Sequence, residues 1–72
     1  MKVVLVTLDS LGNKDETYTL ESNISPTNVE VLRNRLSEGI NVKGDKYFIV
    51  DQEYEIRPNG NARYTLTAQQ PS

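Results

Sequence analysis

The chain of 72 residues contains neither cysteine nor histidine. The absence of cysteine excludes disulfides and thiolate metal sites. The absence of histidine removes the commonest general base and the commonest metal ligand. Its glycines are isolated from one another, so no glycine-rich phosphate loop is present. These absences predict a protein that is not an enzyme and that holds no cofactor and no metal.

Long apolar runs are also missing. The run at the N-terminus, residues 3–6, is much shorter than the apolar region of a signal peptide or a membrane span. The formal net charge of −2 lacks the basic excess that nucleic-acid-binding domains usually show. We therefore expect one cytoplasmic domain over residues 1–67, with no membrane partner, followed by a frayed polar tail over residues 68–72.

Two segments near the N-terminus predict a β-hairpin. Residues 2–9 are rich in β-branched side chains and apolar on both faces, which is typical of a central strand. Residues 9–15 contain turn-forming residues around Gly12. Residues 16–21 alternate between apolar and polar, as a half-buried strand does. The short connection favours pairing of the two strands.

The start of a helix is the clearest local signal. Ser25 is a preferred capping residue, and Pro26 suits the first helical position because its missing N–H has no partner to lose there. Thr27 and Glu30 form a competing capping box. Gly39 suits the left-handed residue that ends a helix. One face of the helix is apolar, with the residues Val29, Leu32, Leu36 and Ile40.

The C-terminal half predicts further strands. Residues 42–45 form a loop, residues 46–50 a buried strand, and residues 51–53 either a bend, a bulge or the middle of one long strand. Residues 54–57 and 62–67 flank a Pro-Asn-Gly turn and form a hairpin.

The register of this hairpin follows from its loop. A two-residue loop would place Ile56 opposite Arg63, mixing apolar and charged side chains on one face. A three-residue loop with Gly60 in the left-handed region places Tyr54 opposite Tyr64 and Ile56 opposite Ala62. We prefer the three-residue loop. The predicted fold is α+β in ββαββ order: a four-stranded, possibly five-stranded, mainly antiparallel sheet with one helix on one face.

One helix covers one face of a sheet, so an apolar row of the first strand stays uncovered. That row is either Val3 and Leu5 or the neighbouring Val4, Val6 and Leu8. Small soluble monomers rarely leave such a row in water, unless a curled sheet, loops or the tail cover it. The sequence therefore predicts a binding or adaptor protein with a protein partner or a second copy as homodimer. The interface residues that we predict are Val3, Leu5, Tyr47 and Ile49.

An alternative is weak nucleic-acid binding through strand aromatic residues beside basic side chains. Its residues would be Lys43, Lys46, Arg57, Arg63 and Tyr64. Alternating acidic residues between them, Glu53 and Glu55, would repel phosphates. Together with Asp51 they are typical of a solvated strand face that keeps an edge from pairing with other chains.

The N-terminal part of the chain resembles short proteins of Gram-positive bacteria and their phages, which also open with an apolar strand, a Gly-containing turn, a second strand and a capped helix. The matching stretch, residues 5–36, includes Gly12, the run Tyr18-Thr19-Leu20 and Val29. The resemblance implies the order of the first elements and an origin in a phage or mobile element. It implies no activity.

Overall fold

The computed structural model of the chain describes residues 1–71, and of Pro26 the backbone only. Within this range the elements are β1 (Lys2–Leu8), β2 (Lys14–Glu21), α1 (Pro26–Leu36), β3 (Ile40–Val42), β4 (Asp45–Ile56) and β5 (Ala62–Gln69). The predicted α+β class with one helix is confirmed over the described residues.

The strands form one five-stranded sheet in the order β2-β1-β5-β4-β3. β1 pairs antiparallel with β2 and parallel with β5, and the remaining pairs are antiparallel. The sheet therefore has the five strands that were predicted as an alternative to four, and it is mixed, because one of its four strand pairs is parallel. The parallel pair forms because β5, the second strand of the C-terminal hairpin, returns to the centre of the sheet beside β1.

The additional strand is β3, whose last residue, Val42, falls within the loop predicted over residues 42–45. Its turn to β4 consists of Lys43 and Gly44, which both have positive φ angles, 53° and 86°. Positive φ at both central residues is typical of the two-residue turn whose twist fits a hairpin. Of the alternatives for residues 51–53, the middle of one long strand is confirmed, because β4 is continuous and has only a register shift between Ile49 and Asp51.

The C-terminal hairpin has the predicted register, with Tyr54 opposite Tyr64 and Ile56 opposite Ala62. The backbone N–H of Arg57 donates to the carbonyl of Asn61 at 2.8 Å. Between them lies a three-residue loop that ends in Gly60, whose φ is 84°.

α1 begins at Pro26 after the N-cap residue Ser25, as predicted, although the Ser25 side chain makes no capping hydrogen bond. Gly39, with a φ of 115°, follows its C-terminal end. A side chain at Gly39 would lie 2.7 Å from the Lys46 side chain and 3.3 Å from the Tyr47 carbonyl, so glycine also permits the close approach of this segment to β4.

The core lies between α1 and the sheet. Its buried residues are Val3, Leu5, Val29, Tyr47, Tyr64, Leu66 and Ala68. The buried hydroxyl of Thr7 donates to the carbonyl of Glu16 and accepts its backbone N–H, so this polar group is satisfied inside the core. Ala68 is fully buried in β5, which extends to Gln69. The predicted frayed tail is therefore wrong for its first two residues; its last residue, Ser72, lies outside the described part of the chain.

The sheet curls so that its two ends in the strand order approach one another. Lys43, in the turn that leaves β3, donates to Glu16 of β2 with an Nζ–Oε1 distance of 2.7 Å. Since β2 and β3 are the outermost strands of the sheet, this ion pair bridges opposite edges. The Lys43 hydrogen bond is the main cause that lowers the pKa of Glu16 below its ordinary value, and the Tyr18 hydroxyl lowers it further.

Candidate functional site

The residues predicted for a protein interface lie beneath α1 instead of on the uncovered face. Val3, Leu5 and Tyr47 are at most 5% exposed and belong to the core that Val29 completes. Ile49 is partly buried and packs against the same residues. The choice of face is therefore corrected: the register of β1 turns Val3 and Leu5 towards the helix, so the alternate residues of β1 face away from it.

The uncovered face of β1 carries the other predicted row, but little of that row reaches solvent. Val4 is only 7% exposed, and Val6 and Leu8 are half-buried. The cross-strand neighbours of Val4 are Thr19 on β2 and Thr65 on β5. Neighbouring side chains on the same face of a sheet contact one another, so these threonines flank the valine. This face offers a narrow apolar strip.

The exposed large apolar side chains are concentrated on β4. They are Phe48, Val50, Tyr54 and Ile56, which are 42%, 54%, 54% and 70% exposed. The two others among residues 1–71 lie apart from this strand, Leu11 in the first turn and Val31 on α1. The ring of Tyr54 lies at the margin of the core, edge to face with Tyr64 at 6.5 Å between ring centroids.

The same strand has an unpaired backbone edge. β3 pairs with β4 only at residues 45–47, and residues 48–56 pair on their other side with β5. We call residues 48–56 the open edge. Because Arg57 is hydrogen-bonded to Asn61, the alternation of an antiparallel ladder turns the backbone groups of Gln52, Tyr54 and Ile56 away from β5. The N–H of Gln52 is bonded to Asp51 Oδ1 at 2.9 Å, while Tyr54 and Ile56 present theirs to the free side of the strand.

A groove runs along the helix-facing side of the open edge. Its volume is about 390 Å³, and we call it the α1–β4 groove. It is lined by Met1, Val29, Glu30, Arg33, Tyr54 and Tyr64. Tyr64 is held in place by a hydrogen bond from its hydroxyl to Gln52 Oε1. The groove lies at the margin of the area that α1 covers. Tyr64 lies beneath the helix, and Tyr54 extends partly beyond it.

The opposite side of the open edge is acidic. Asp51, Glu53 and Glu55 share the face that points away from α1, because their partners on β5 alternate with core residues. Glu55 is neutralised by Arg57 and Arg63, each 3.3 Å from its Oε1. Asp51 and Glu53 form no ion pair with any side chain in residues 1–71.

The residues of the nucleic-acid alternative are not brought together. Lys43 pairs with Glu16, and Lys46 lies over the Phe48 ring at 5.4 Å from its centroid. Arg57 and Arg63 lie at the other end of β4, roughly 35 Å away at the usual rise per strand residue. Tyr64 is buried on the helix side, opposite to Arg63. These positions form no continuous basic surface with exposed aromatic rings.

In residues 1–71 no group of three or more acidic side chains is placed to hold a metal ion. Burial, followed by the charges of Asp15 and Asp45, raises the pKa of Tyr47 above its ordinary value. This residue therefore stays a neutral phenol in the core.

The described residues include no helix that has both the length and the apolar character to cross a membrane.

Comparisons with protein-family models, with curated proteins and with solved structures gave no match. The candidate site therefore depends on the geometry of the chain itself. Its central residues, Gln52, Tyr54 and Ile56, were not among the predicted site residues. Two features of the chain indicate them: the alternation of apolar and polar side chains along β4, and the shortness of β3, which leaves most of β4 unpaired on that side.

Proposed function

We propose that this chain is a small, non-enzymatic protein-binding domain, and that it binds an extended segment of its partner along the open edge and the α1–β4 groove. One observation carries the proposal. β4, whose backbone edge is unpaired over residues 48–56, also bears four of the six large apolar side chains that are exposed in residues 1–71.

Strand addition suits this surface because it uses the backbone and the side chains together. An added strand obtains main-chain hydrogen bonds from the outward groups of Tyr54 and Ile56. Its alternate side chains enter the α1–β4 groove beside Tyr54, where apolar contact gives affinity. The open edge of nine residues, 48–56, spans roughly 30 Å, which is enough for a typical strand.

The proposal is tested by selecting binders from a library of random ten-residue peptides. We expect the enriched peptides to alternate apolar with polar residues. On binding, the amide protons of Tyr54 and Ile56 should become protected from hydrogen exchange, as measured by NMR.

Two substitutions at one position separate the backbone from the side chain. Ile56→Pro removes the outward N–H and keeps an apolar side chain, whereas Ile56→Thr keeps the N–H and removes apolar area. The Pro variant should bind selected peptides about fivefold more weakly than the Thr variant, because one main-chain hydrogen bond is lost. Binding that leaves the amides of β4 unprotected, or a library without period-two binders, would contradict the proposed function.

A further inference from the structure

We propose that the segment that binds the open edge alternates apolar with basic side chains and belongs to another protein, not to a second copy of this chain. This inference depends on the proposed function and specifies its partner. It follows from the different chemistry of the two sides of β4.

The helix-facing side of the open edge selects apolar side chains. Residues of an added strand that lie opposite Tyr54 and Ile56 point to the same side as these two, and the residue beside Tyr54 faces the α1–β4 groove. The apolar and aromatic lining of that groove includes Val29 and the two tyrosines, and its charged side chains, Glu30 and Arg33, have opposite signs. Apolar side chains of the partner therefore replace water over the exposed Tyr54.

The other side of the open edge selects basic side chains. Partner residues opposite Asp51 and Glu53 point to the same side as these two carboxylates, which no cation of residues 1–71 neutralises. Opposite charges directly across a strand pair are stabilising, and like charges are destabilising. The neighbouring Glu55 is already paired with Arg57 and Arg63. Basic side chains of the partner are therefore attracted mainly by Asp51 and Glu53.

The same charges disfavour a second copy as the occupant. If two β4 strands paired about a two-fold axis at Tyr54, Glu53 of one copy would lie opposite Glu55 of the other. An axis at Gln52 would place Asp51 opposite Glu53 of the other copy. Both arrangements bring carboxylates of like charge together. We expect the protein to sediment as a monomer at high micromolar concentration.

Three synthetic peptides of nine residues test the inference. They share valine at alternate positions and carry lysine, glutamine or glutamate between the valines. At low ionic strength the lysine peptide should bind about tenfold more tightly than the glutamine peptide, and the glutamate peptide should bind most weakly. The double variant Asp51→Asn/Glu53→Gln should abolish the advantage of lysine and leave the glutamine peptide unchanged. Glu21→Gln, on the opposite edge of the sheet, is the matched control and should keep the advantage.

The outcomes separate this inference from the proposed function. Equal binding of the lysine and glutamine peptides, with β4 amides protected, would overturn the charge preference and leave strand addition intact. Binding of the lysine peptide that is unaffected by Ile56→Pro would show attraction without strand pairing and overturn both. The absence of binding by all three peptides would overturn the proposed function itself. A concentration-dependent dimer that protects the β4 amides would identify the second copy as the occupant and overturn the inference.

Discussion

The two edge strands of the sheet, β2 and β4, share a backbone property and differ in their side chains. Both leave hydrogen-bonding groups unpaired, β2 along its outer side and β4 beyond the short β3. On β2 the exposed side chains are polar or charged, namely Lys14, Asp15, Thr17, Thr19 and Glu21. On β4 they include four of the six large apolar side chains that are exposed in residues 1–71. Polar and charged edges resist pairing with other chains.

The comparison shows that an unpaired backbone does not by itself mark a binding surface. β2 is open over its full length, yet its alternating threonines and charges give a partner strand little apolar area to bury. β4 combines an open backbone with Tyr54 and Ile56 on one side and unpaired carboxylates on the other. The combination distinguishes the candidate site from an ordinary sheet edge.

The largest expected effect separates apolar residues that stabilise the fold from those that do not. Leu66, 1% exposed at the centre of the sheet, should cost about 2–5 kcal/mol when changed to alanine, because the substitution leaves a cavity. Ile56→Ala should cost less than about 0.5 kcal/mol, since that side chain is already mostly in water. Denaturant unfolding measures both. If Leu66→Ala does not fold, Leu66→Val provides the comparison at about 1 kcal/mol. A cost at Ile56 similar to that at Leu66 would mean that this apolar side chain serves stability.

The next effect tests which backbone groups of β4 are free. Glu55→Pro removes an N–H that faces β5 and should cost about 2 kcal/mol or more, because the Arg63 carbonyl loses its partner. Ile56→Pro removes an N–H that faces outward and should cost less than about 1 kcal/mol. The control Glu55→Ala accounts for the lost ion pairs. Equal unfolding free energies of the two proline variants would contradict the alternation that defines the open edge.

A smaller effect tests where the part of β4 that pairs with β3 ends and the open edge begins. Gly44→Ala should cost about 1 kcal/mol, because alanine is strained at a φ of 86°. Apart from Gly44 and its two chain neighbours, no described atom of residues 1–71 lies within 4 Å of the added Cβ, so the cost arises from the backbone conformation. Hydrogen exchange of β3 should accelerate, which extends the open edge towards Asp45. D-alanine at position 44, in a synthetic chain, should restore protection; failure to do so would exclude the turn as the cause.

Local signals predicted the C-terminal hairpin and the helix correctly. The Pro58-Asn59-Gly60 loop determined the register, because only one loop length pairs Tyr54 with Tyr64 and Glu55 with Arg63. Ser25 and Pro26 identified the start of α1 in the same way. In each case the residues that determine the structure are close in sequence, so their steric and hydrogen-bonding preferences suffice.

The candidate site was not predictable in the same manner. β3 has three residues, too few for a period-two pattern, and its Lys43-Gly44 turn lacks the favoured asparagine or aspartate. The face of β1 that α1 covers depends on the parallel pairing with β5, which joins distant parts of the chain. The exposure of Tyr54 depends in turn on where α1 stops covering the sheet. Each of these is a tertiary property that local propensity leaves undetermined.

The smallest effect concerns the ion pair that links the β3 turn to β2. Because Lys43 and Tyr18 hold the pKa of Glu16 below its ordinary value, the folded state releases this proton more readily than the unfolded state. The resulting stabilisation is present above the unfolded-state pKa, near 4.5, and is lost as the pH falls through the lower folded-state pKa. Lys43→Met should raise the pKa of Glu16 in an NMR titration, with part of the depression retained through Tyr18. Added salt should also raise the pKa of Glu16, since the ion pair is exposed to solvent.

Lys46→Met is the matched control for this titration. Lys46 lies close to Lys43 in sequence, but its ammonium group is placed over the Phe48 ring and forms no ion pair with Glu16. The pKa of Glu16 should therefore stay low in this variant. If both methionine variants raise the pKa of Glu16 equally, the low pKa is caused by the overall positive charge of this region. The specific contact between β2 and the β3 turn would then not be its cause.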